Sequence, residues 1–302
     1  HRVSDVAWTG DGVAVEANAG RAAVRLRGRL VIGADGANSV VSRAIGNQPR
    51  AGAMAVSMRC YYDGVRLDGS QIKIYFDRHN FPGYGWVFTD DSGLANIGLG
   101  YAADKNFPLR GSIRQMLADF VAGLGPSMSG AHPVSQPAGW FACFDRPRTL
   151  VADGVMLIGD AAHLADPMSG GGIHKAMESA HVAAQVAHEC LASGDCSRRG
   201  VGRYEHLWHA GAELDWRTGE LFLAIAKNPH LRELYLALLQ AIGRLAVHDR
   251  GFQDFCSAFF IDAMSRSAAL SPLVLIRAIP WEPRAVLAAV RPPEFCSING
   301  AV

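Results

Sequence analysis

Val155-Met156-Leu157-Ile158-Gly159-Asp160-Ala161-Ala162-His163, continued by Pro167 and Ser169-Gly170-Gly171-Gly172-Ile173, decides how this chain folds. Four apolar residues, Val155 to Ile158, predict a short strand buried on both faces, the kind found in parallel sheets. Gly159 lets the backbone turn sharply at the carboxyl end of that strand, and Asp160 stands at its lip. After a short loop the glycines lead into Ile173-His174-Lys175-Ala176-Met177-Glu178-Ser179-Ala180, a breaker-free run that predicts a helix.

Consecutive glycines before a helix leave backbone N–H groups bare, and the helix start adds the positive end of its dipole. That suits an anion, or a ring edge that gains negative charge. The Asp160 carboxylate is an acceptor suited to sugar or polyol hydroxyls. A ligand with both a hydroxylated chain and a ring, such as a flavin nucleotide, fits the combination. The alternative at this point is a strand–loop–helix turn whose glycines only permit close packing.

A second edge of the same kind lies upstream in Leu30-Val31-Ile32-Gly33-Ala34-Asp35-Gly36-Ala37-Asn38-Ser39, where Ser39 is placed to cap a helix starting at Val40. Asp35 and Asp160 would then stand at the carboxyl ends of parallel strands, where open α/β sheets bind ligands. Before this edge, Val3 to Arg27 reads as an antiparallel ribbon with a turn at Thr9-Gly10-Asp11-Gly12.

Between the two edges the pattern is β-rich. Gln71 to Phe76 alternates as a strand, with turns at Asp68-Gly69 and Asp90-Asp91-Ser92-Gly93. Pro82-Gly83-Tyr84-Gly85-Trp86-Val87-Phe88 places Tyr84, Trp86 and Phe88 on one strand face. Asn96-Ile97-Gly98-Leu99-Gly100 reads as the partner strand, whose glycines admit a ligand or another backbone. An aromatic wall for a flat or apolar substrate and a plain aromatic sheet core both fit. Residues 111–123 predict a short helix, and 133–149 an irregular strand. From Ser179 the pattern is helical, with a break at Ser193-Gly194-Asp195 and helices over Arg203–Ala226, Leu231–Val247 and Phe252–Ser265. Leu270 to Ile279 is apolar, and prolines at 280, 283, 292 and 293 close the ordered part.

Composition narrows the function classes. Hydrophobic residues make up 49% and charged residues 19% of the 302, the balance of a chain that folds into globular cores. A net charge of +1 without a basic run gives no footprint for nucleic acid. Six scattered cysteines without a CxxC pair predict reduced thiols in a cytoplasmic protein and no zinc site. His174, His181 and His188 recur two helical turns apart with no carboxylate cluster, so no metal site is expected. No apolar run reaches the roughly 18 residues of a membrane span.

Gly33-Ala34-Asp35-Gly36-Ala37-Asn38-Ser39-Val40-Val41-Ser42-Arg43 resembles the "DG" motif of flavoprotein monooxygenases and their relatives. Gly159-Asp160-Ala161-Ala162-His163 with Pro167 and Gly170-Gly171-Gly172-Ile173 resembles their "GD" motif, about 125 positions later. Within that superfamily the Tyr84–Phe88 strand and its glycine-bearing partner look like the geranylgeranyl reductase family, which reduces carbon–carbon double bonds of polyprenyl chains using FAD. Three positions depart from the family pattern: Thr89 where Pro is usual, Gly171 where Glu is frequent, and His163, commoner in the hydroxylases.

The resemblance implies an α/β fold with a β-rich insert, the p-hydroxybenzoate hydroxylase-like two-domain FAD-binding fold, followed by C-terminal helices. It implies FAD-binding parts at 1–50 and 151–200, a β-rich substrate domain at 51–150 and a helical region at 201–302. The strand–GxGxxG–helix that opens the family does not occur in this sequence, so the FAD-binding fold is expected to be incomplete. Gly33, Asp35, Gly36, Gly159, Asp160, Pro167, Gly170, Gly171, Gly172 and Ile173 would bind FAD, and Tyr84, Trp86 and Phe88 would face an apolar substrate. The implied reaction delivers hydride from reduced flavin to one alkene carbon and a proton to the other, with no proton donor identified. Implied partners are an electron donor, NAD(P)H or ferredoxin-like, and a peripheral membrane contact. Two other readings stay open: hydroxylation of an aromatic substrate, and a non-catalytic remnant that binds an apolar ligand.

Overall fold

The computed structural model describes residues 1–265 except 21, 51–52, 68–70, 110 and 136, together with 272 and 297–300. The predicted turn at Asp68-Gly69, the apolar run Leu270–Ile279 and the closing prolines lie outside the described residues. Strands β1 (Arg2–Thr9), β2 (Gly12–Ala19), β3 (Ala22–Gly28) and β4 (Val31–Gly33) precede helix α1 (Val40–Ala44). Then come β5 (Met54–Asp63), β6 (Gln71–Tyr75), β7 (Gly83–Thr89), β8 (Ala95–Tyr101) and α2 (Ile113–Gly123). Strands β9 (His132–Pro133), β10 (Ala138–Cys143), β11 (Val151–Ala152) and β12 (Val155–Leu157) follow. Helices α3 (Ile173–Ser193), α4 (Arg198–Ala226), α5 (Arg232–His248) and α6 (Arg250–Phe260) and strand β13 (Ser297–Gly300) complete the series.

The chain divides into two compact units, one of residues 1–54 and 141–217, the other of 55–140 and 218–302. Residues 201–302 are therefore shared between the two.

In the first unit β1, β2 and β3 form the antiparallel ribbon, and β4 pairs in parallel with β12, with β11 beyond it. The register sets Val31 opposite Val155, and Gly33 opposite Leu157. Val155, Met156 and Leu157 are fully buried, as an unbroken apolar run on a covered sheet requires. Helix α1 starts on Ser39, whose Oγ accepts from the Ser42 N–H. Helix α3 ends at Gly194, which takes the left-handed conformation (φ 80°) that glycine adopts without a Cβ clash. Helix α4 begins earlier than its pattern predicts. The Asp153 carboxylate accepts from the Arg198 N–H at 2.7 Å and fixes that start.

In the second unit the strand order is β10-β5-β8-β7-β6-β13, with β9 paired to β5. Asp90 Oδ1 accepts from the Ser92 and Leu94 N–H groups and from Ser92 Oγ, closing the β7–β8 turn ahead of Gly93 (φ 87°). Helix α2 packs Met116, Leu117 and Phe120 on the sheet. Phe81, Ala226 and Leu236 form a smaller cluster with Tyr235. Helix α6 starts on Asp249, which accepts from the Phe252 N–H, and ends at Phe260, short of the predicted Ser265.

Candidate functional site: the strand ends and the glycine loop

The parallel pairing of β4 and β12 brings the Asp35 and Asp160 edges to the carboxyl ends of adjacent strands. The two carboxylates have different tasks. Asp35 Oδ1 accepts from Ser39 Oγ at 2.5 Å and Oδ2 from the Val40 N–H at 2.7 Å, so this side chain is occupied in starting α1. Gly36 beside it is left-handed (φ 77°), and a Cβ there would meet nothing within 4 Å. Gly33 is a packing residue: a Cβ would come within 2.6 Å of Leu157 Cδ2 and 2.9 Å of Val41 Cβ.

The Asp160 carboxylate has no hydrogen-bond partner among the described residues, while its backbone carbonyl accepts from the His163 N–H at 3.1 Å. Burial raises its pKa, opposed by the nearby His163 ring. It lies on a one-turn 3-10 segment, Gly159–Ala162, whose C-cap His163 is left-handed (φ 55°). The strand end beneath is tied down twice. The Gly159 N–H donates to Ser179 Oγ at 3.1 Å, and the buried Tyr204 hydroxyl donates to the Leu157 carbonyl at 2.7 Å.

The glycine loop is built by Asp166, which the sequence reading missed. Buried to 2% exposure, its Oδ2 accepts from the Ser169 N–H (2.9 Å) and Ser169 Oγ (2.6 Å). Its backbone N–H donates to the Gly171 carbonyl and its carbonyl accepts from Gly170, at 2.9 and 2.8 Å. Asp-Pro-x-Ser is the local signal that could have revealed it, since Asp bonds readily to the backbone two or three residues on. Pro167 is buried within the loop and Gly170 (φ 68°) is exposed. A Cβ on Gly172 would lie 3.1 Å from Asp160 Oδ1, so this glycine lets the start of α3 rest against that carboxylate. Helix α3 has no side-chain cap at its start, and Ile173 there is 82% exposed. An unpartnered, partly buried carboxylate beside an uncapped 21-residue helix fits a ligand that offers hydroxyl donors and takes N–H donors.

In the second unit Phe76, Tyr84, Trp86 and Phe88 form one aromatic row, with successive ring centroids 6.0, 6.0 and 6.2 Å apart. Phe260 stands edge-on to both Phe76 and Tyr84. Trp86 is buried, and its Nε1–H donates to Asn96 Oδ1 across the strands at 3.0 Å. Of the two β8 glycines, Gly100 has room for a side chain, its nearest neighbour being Ser57 Cβ at 3.9 Å, whereas Gly98 is not an open slot. A Cβ at Gly98 would lie 2.2 Å from the Trp86 ring, and the Gly100 carbonyl closes on Gly83. Phe88 is the exposed end of the row.

No metal-holding group of three or more His, Cys, Asp or Glu side chains occurs among the described residues. Cys60, Cys190, Cys196 and Cys256 are free thiols.

No family model matches the chain. Among solved structures it resembles a flavin-dependent brominase, Bmp2 (TM-score 0.57, 21% identity, 78% of this chain and 63% of that one). It resembles more strongly a geranylgeranyl bacteriochlorophyll reductase-like protein from Thermoplasma acidophilum (TM-score 0.64, 27% identity, 77% and 60%). The fold is thus the p-hydroxybenzoate hydroxylase-like fold of the flavoprotein monooxygenase superfamily.

Digeranylgeranylglycerophospholipid reductase of Methanosphaerula palustris is 33% identical over 214 residues, 70% of this chain and 51% of the relative. Digeranylgeranylglycerophospholipid reductase 1 of Methanococcoides burtonii is 31% identical over 256 residues, 78% and 57%. The chain is thus similar to curated reductases of geranylgeranyl lipids and to a geranylgeranyl reductase-like structure. It spans about half the length of the curated relatives it matches.

Proposed function

We propose that this chain is the flavin-cradling and substrate-walling part of an FAD-dependent reductase acting on carbon–carbon double bonds of a prenyl lipid or similar apolar substrate. The observation that carries the reading is the unpartnered Asp160 carboxylate beside the uncapped start of α3. Bound FAD would supply the hydride. Asp160 accepts hydroxyl hydrogens of the cofactor's polyol chain. The backbone of Gly170 to Ile173 approaches its ring closely, with N–H groups that favour negative charge there. Pro167 stiffens that loop, and Gly159 and Gly36 allow the turns that keep both strand ends low. Gly33 and Asp35 act indirectly, by packing β4 and by starting α1.

Tyr84, Trp86 and Phe88 offer an aromatic face to an apolar chain, with Trp86 fixed by Asn96 so that the face keeps its shape. A reducing partner, NAD(P)H or ferredoxin-like, supplies the electrons. No described helix is long and apolar enough to cross a membrane. Leu234 and Leu238, 70% and 53% exposed and one turn apart on α5, suit a peripheral contact with the lipid that carries the substrate.

The test is anaerobic incubation with FAD, a reductant and a geranylgeranyl-bearing lipid. Products heavier by two hydrogens per reacted bond are expected. A product carrying a new oxygen atom, formed only in air, would favour hydroxylation instead. Asp160→Ala is expected to weaken FAD retention about tenfold to a hundredfold, the loss of a charge-assisted hydrogen bond.

A further inference from the structure

Behind the Asp160 turn, the first unit holds a second polar site of about 220 Å³, lined by Asn47, Arg50, Asp145, Arg146, Arg148 and His163 among others. Three arginines and one carboxylate face it. Asp145 is paired with Arg50, accepting from its backbone N–H at 2.6 Å and its Nε at 2.7 Å. Arg146 bonds Glu213, and that carboxylate also holds Arg217 at 2.7 Å. Arg148 makes no side-chain bond or ion pair with any described residue. Counted with these outer partners, four arginines stand against two carboxylates, a surplus of two positive charges.

The wall is preformed. Asn47, buried to 2% exposure, accepts from the Arg148 N–H at 2.8 Å and donates to the Thr149 carbonyl at 2.6 Å. His163 is 3% exposed, and its Nδ1 is buried without a hydrogen-bond partner. Burying such a nitrogen unpaired is costly, so an absent partner is called for. The ring is hydrogen-bonded to the Asp145 backbone and burial favours its neutral form, which leaves Nδ1 as an acceptor for the proton of a P–OH group.

We propose that this cavity binds a phosphate group, with the Arg148 guanidinium as its principal charged contact and His163 Nδ1 as its buried hydrogen-bond partner. A planar guanidinium matches phosphate geometry in a fork, which an ammonium does not. The same chemistry is offered by free phosphate, a glycerophosphate headgroup or a dinucleotide's phosphates.

The experiment is calorimetric titration of the flavin-free 302-residue chain with inorganic phosphate at low ionic strength, independent of any flavin binding. Saturable binding at one site is expected. Arg148→Gln should weaken it at least tenfold, Arg148→Lys less, and Arg114→Gln, an exposed arginine of the other unit, not at all. Circular dichroism confirms that each variant is folded. Competition with glycerol phosphate and with NADP+ then identifies the source. The competitor that displaces phosphate at lower concentration names its own class, and displacement by neither assigns the site to free phosphate. No saturable heat up to about 10 mM phosphate, or equal weakening by the Arg148 and Arg114 changes, overturns the assignment.

Discussion

Gly33→Val is expected to destabilise the first unit by about 3 kcal/mol, the upper part of the usual range for overpacking a core. The added Cβ would sit 2.6 Å from Leu157 Cδ2 and 2.9 Å from Val41 Cβ. Leucine tips can often rotate away, but Leu157 is fully buried and its strand is held by Tyr204. Val41 is β-branched, helical and buried, so it has no second rotamer to take. The remaining response is to pry β4 from β12, which separates the Asp35 and Asp160 edges. Urea unfolding followed by far-UV circular dichroism measures the effect. A midpoint unchanged from the parent would mean that β4 and β12 do not pack as described.

Gly98→Val should be comparably damaging in the second unit. Its Cβ would come within 2.2 Å of Trp86 Cζ2 and 2.8 Å of Arg59 Cβ. The indole cannot shift without losing its bond to Asn96 and its stacking on Phe88. Expelling it forfeits about 3 kcal/mol, the lower end of what deleting a buried tryptophan costs. Near-UV circular dichroism should lose intensity from the aromatic row, and binding of an apolar chain should weaken with it. A variant with parental stability and spectrum would place the indole elsewhere.

Acid should act on the Asp145–Arg50 pair. Burial alone would raise the Asp145 pKa, but the hydrogen bonds and charge of Arg50 outweigh it and hold the group below its ordinary 3.8. A carboxyl with a depressed folded-state pKa contributes stability above the unfolded value, and that contribution is lost as pH falls through the folded value. Asp145→Asn should therefore be less stable than the parent at about pH 6, with the gap closing below about pH 3.8. A gap that stays constant across that window would contradict the linkage.

Both strand–Gly–Asp edges were legible because each is an unbroken apolar run followed by residues that favour turns. The parallel pairing of Val31–Gly33 with Val155–Leu157 puts those runs side by side. The longest strand, Met54–Asp63, went unread: most of its residues are half-buried on both faces, which erases the period-two signal. The open character read into Gly98 was also incomplete, because a cross-strand tryptophan fills the space that its missing side chain leaves. Asp166 was within reach of local turn chemistry. The arginine-lined cavity was not, since its walls come from segments about a hundred positions apart, joined by Asn47 and by the Arg50–Asp145 pair.

The central claim is that the Asp160 turn and the glycine loop hold a flavin. The most direct measurement is the absorption spectrum of the purified chain after incubation with excess FAD and desalting, run beside Asp160→Ala. Retained bands near ~370 and ~450 nm, the oxidised-flavin signature, are expected in the parent and should be lost or strongly reduced in the variant. Equal retention by both would remove Asp160 from the cofactor site, and a colourless parent would contradict flavin binding by these residues altogether.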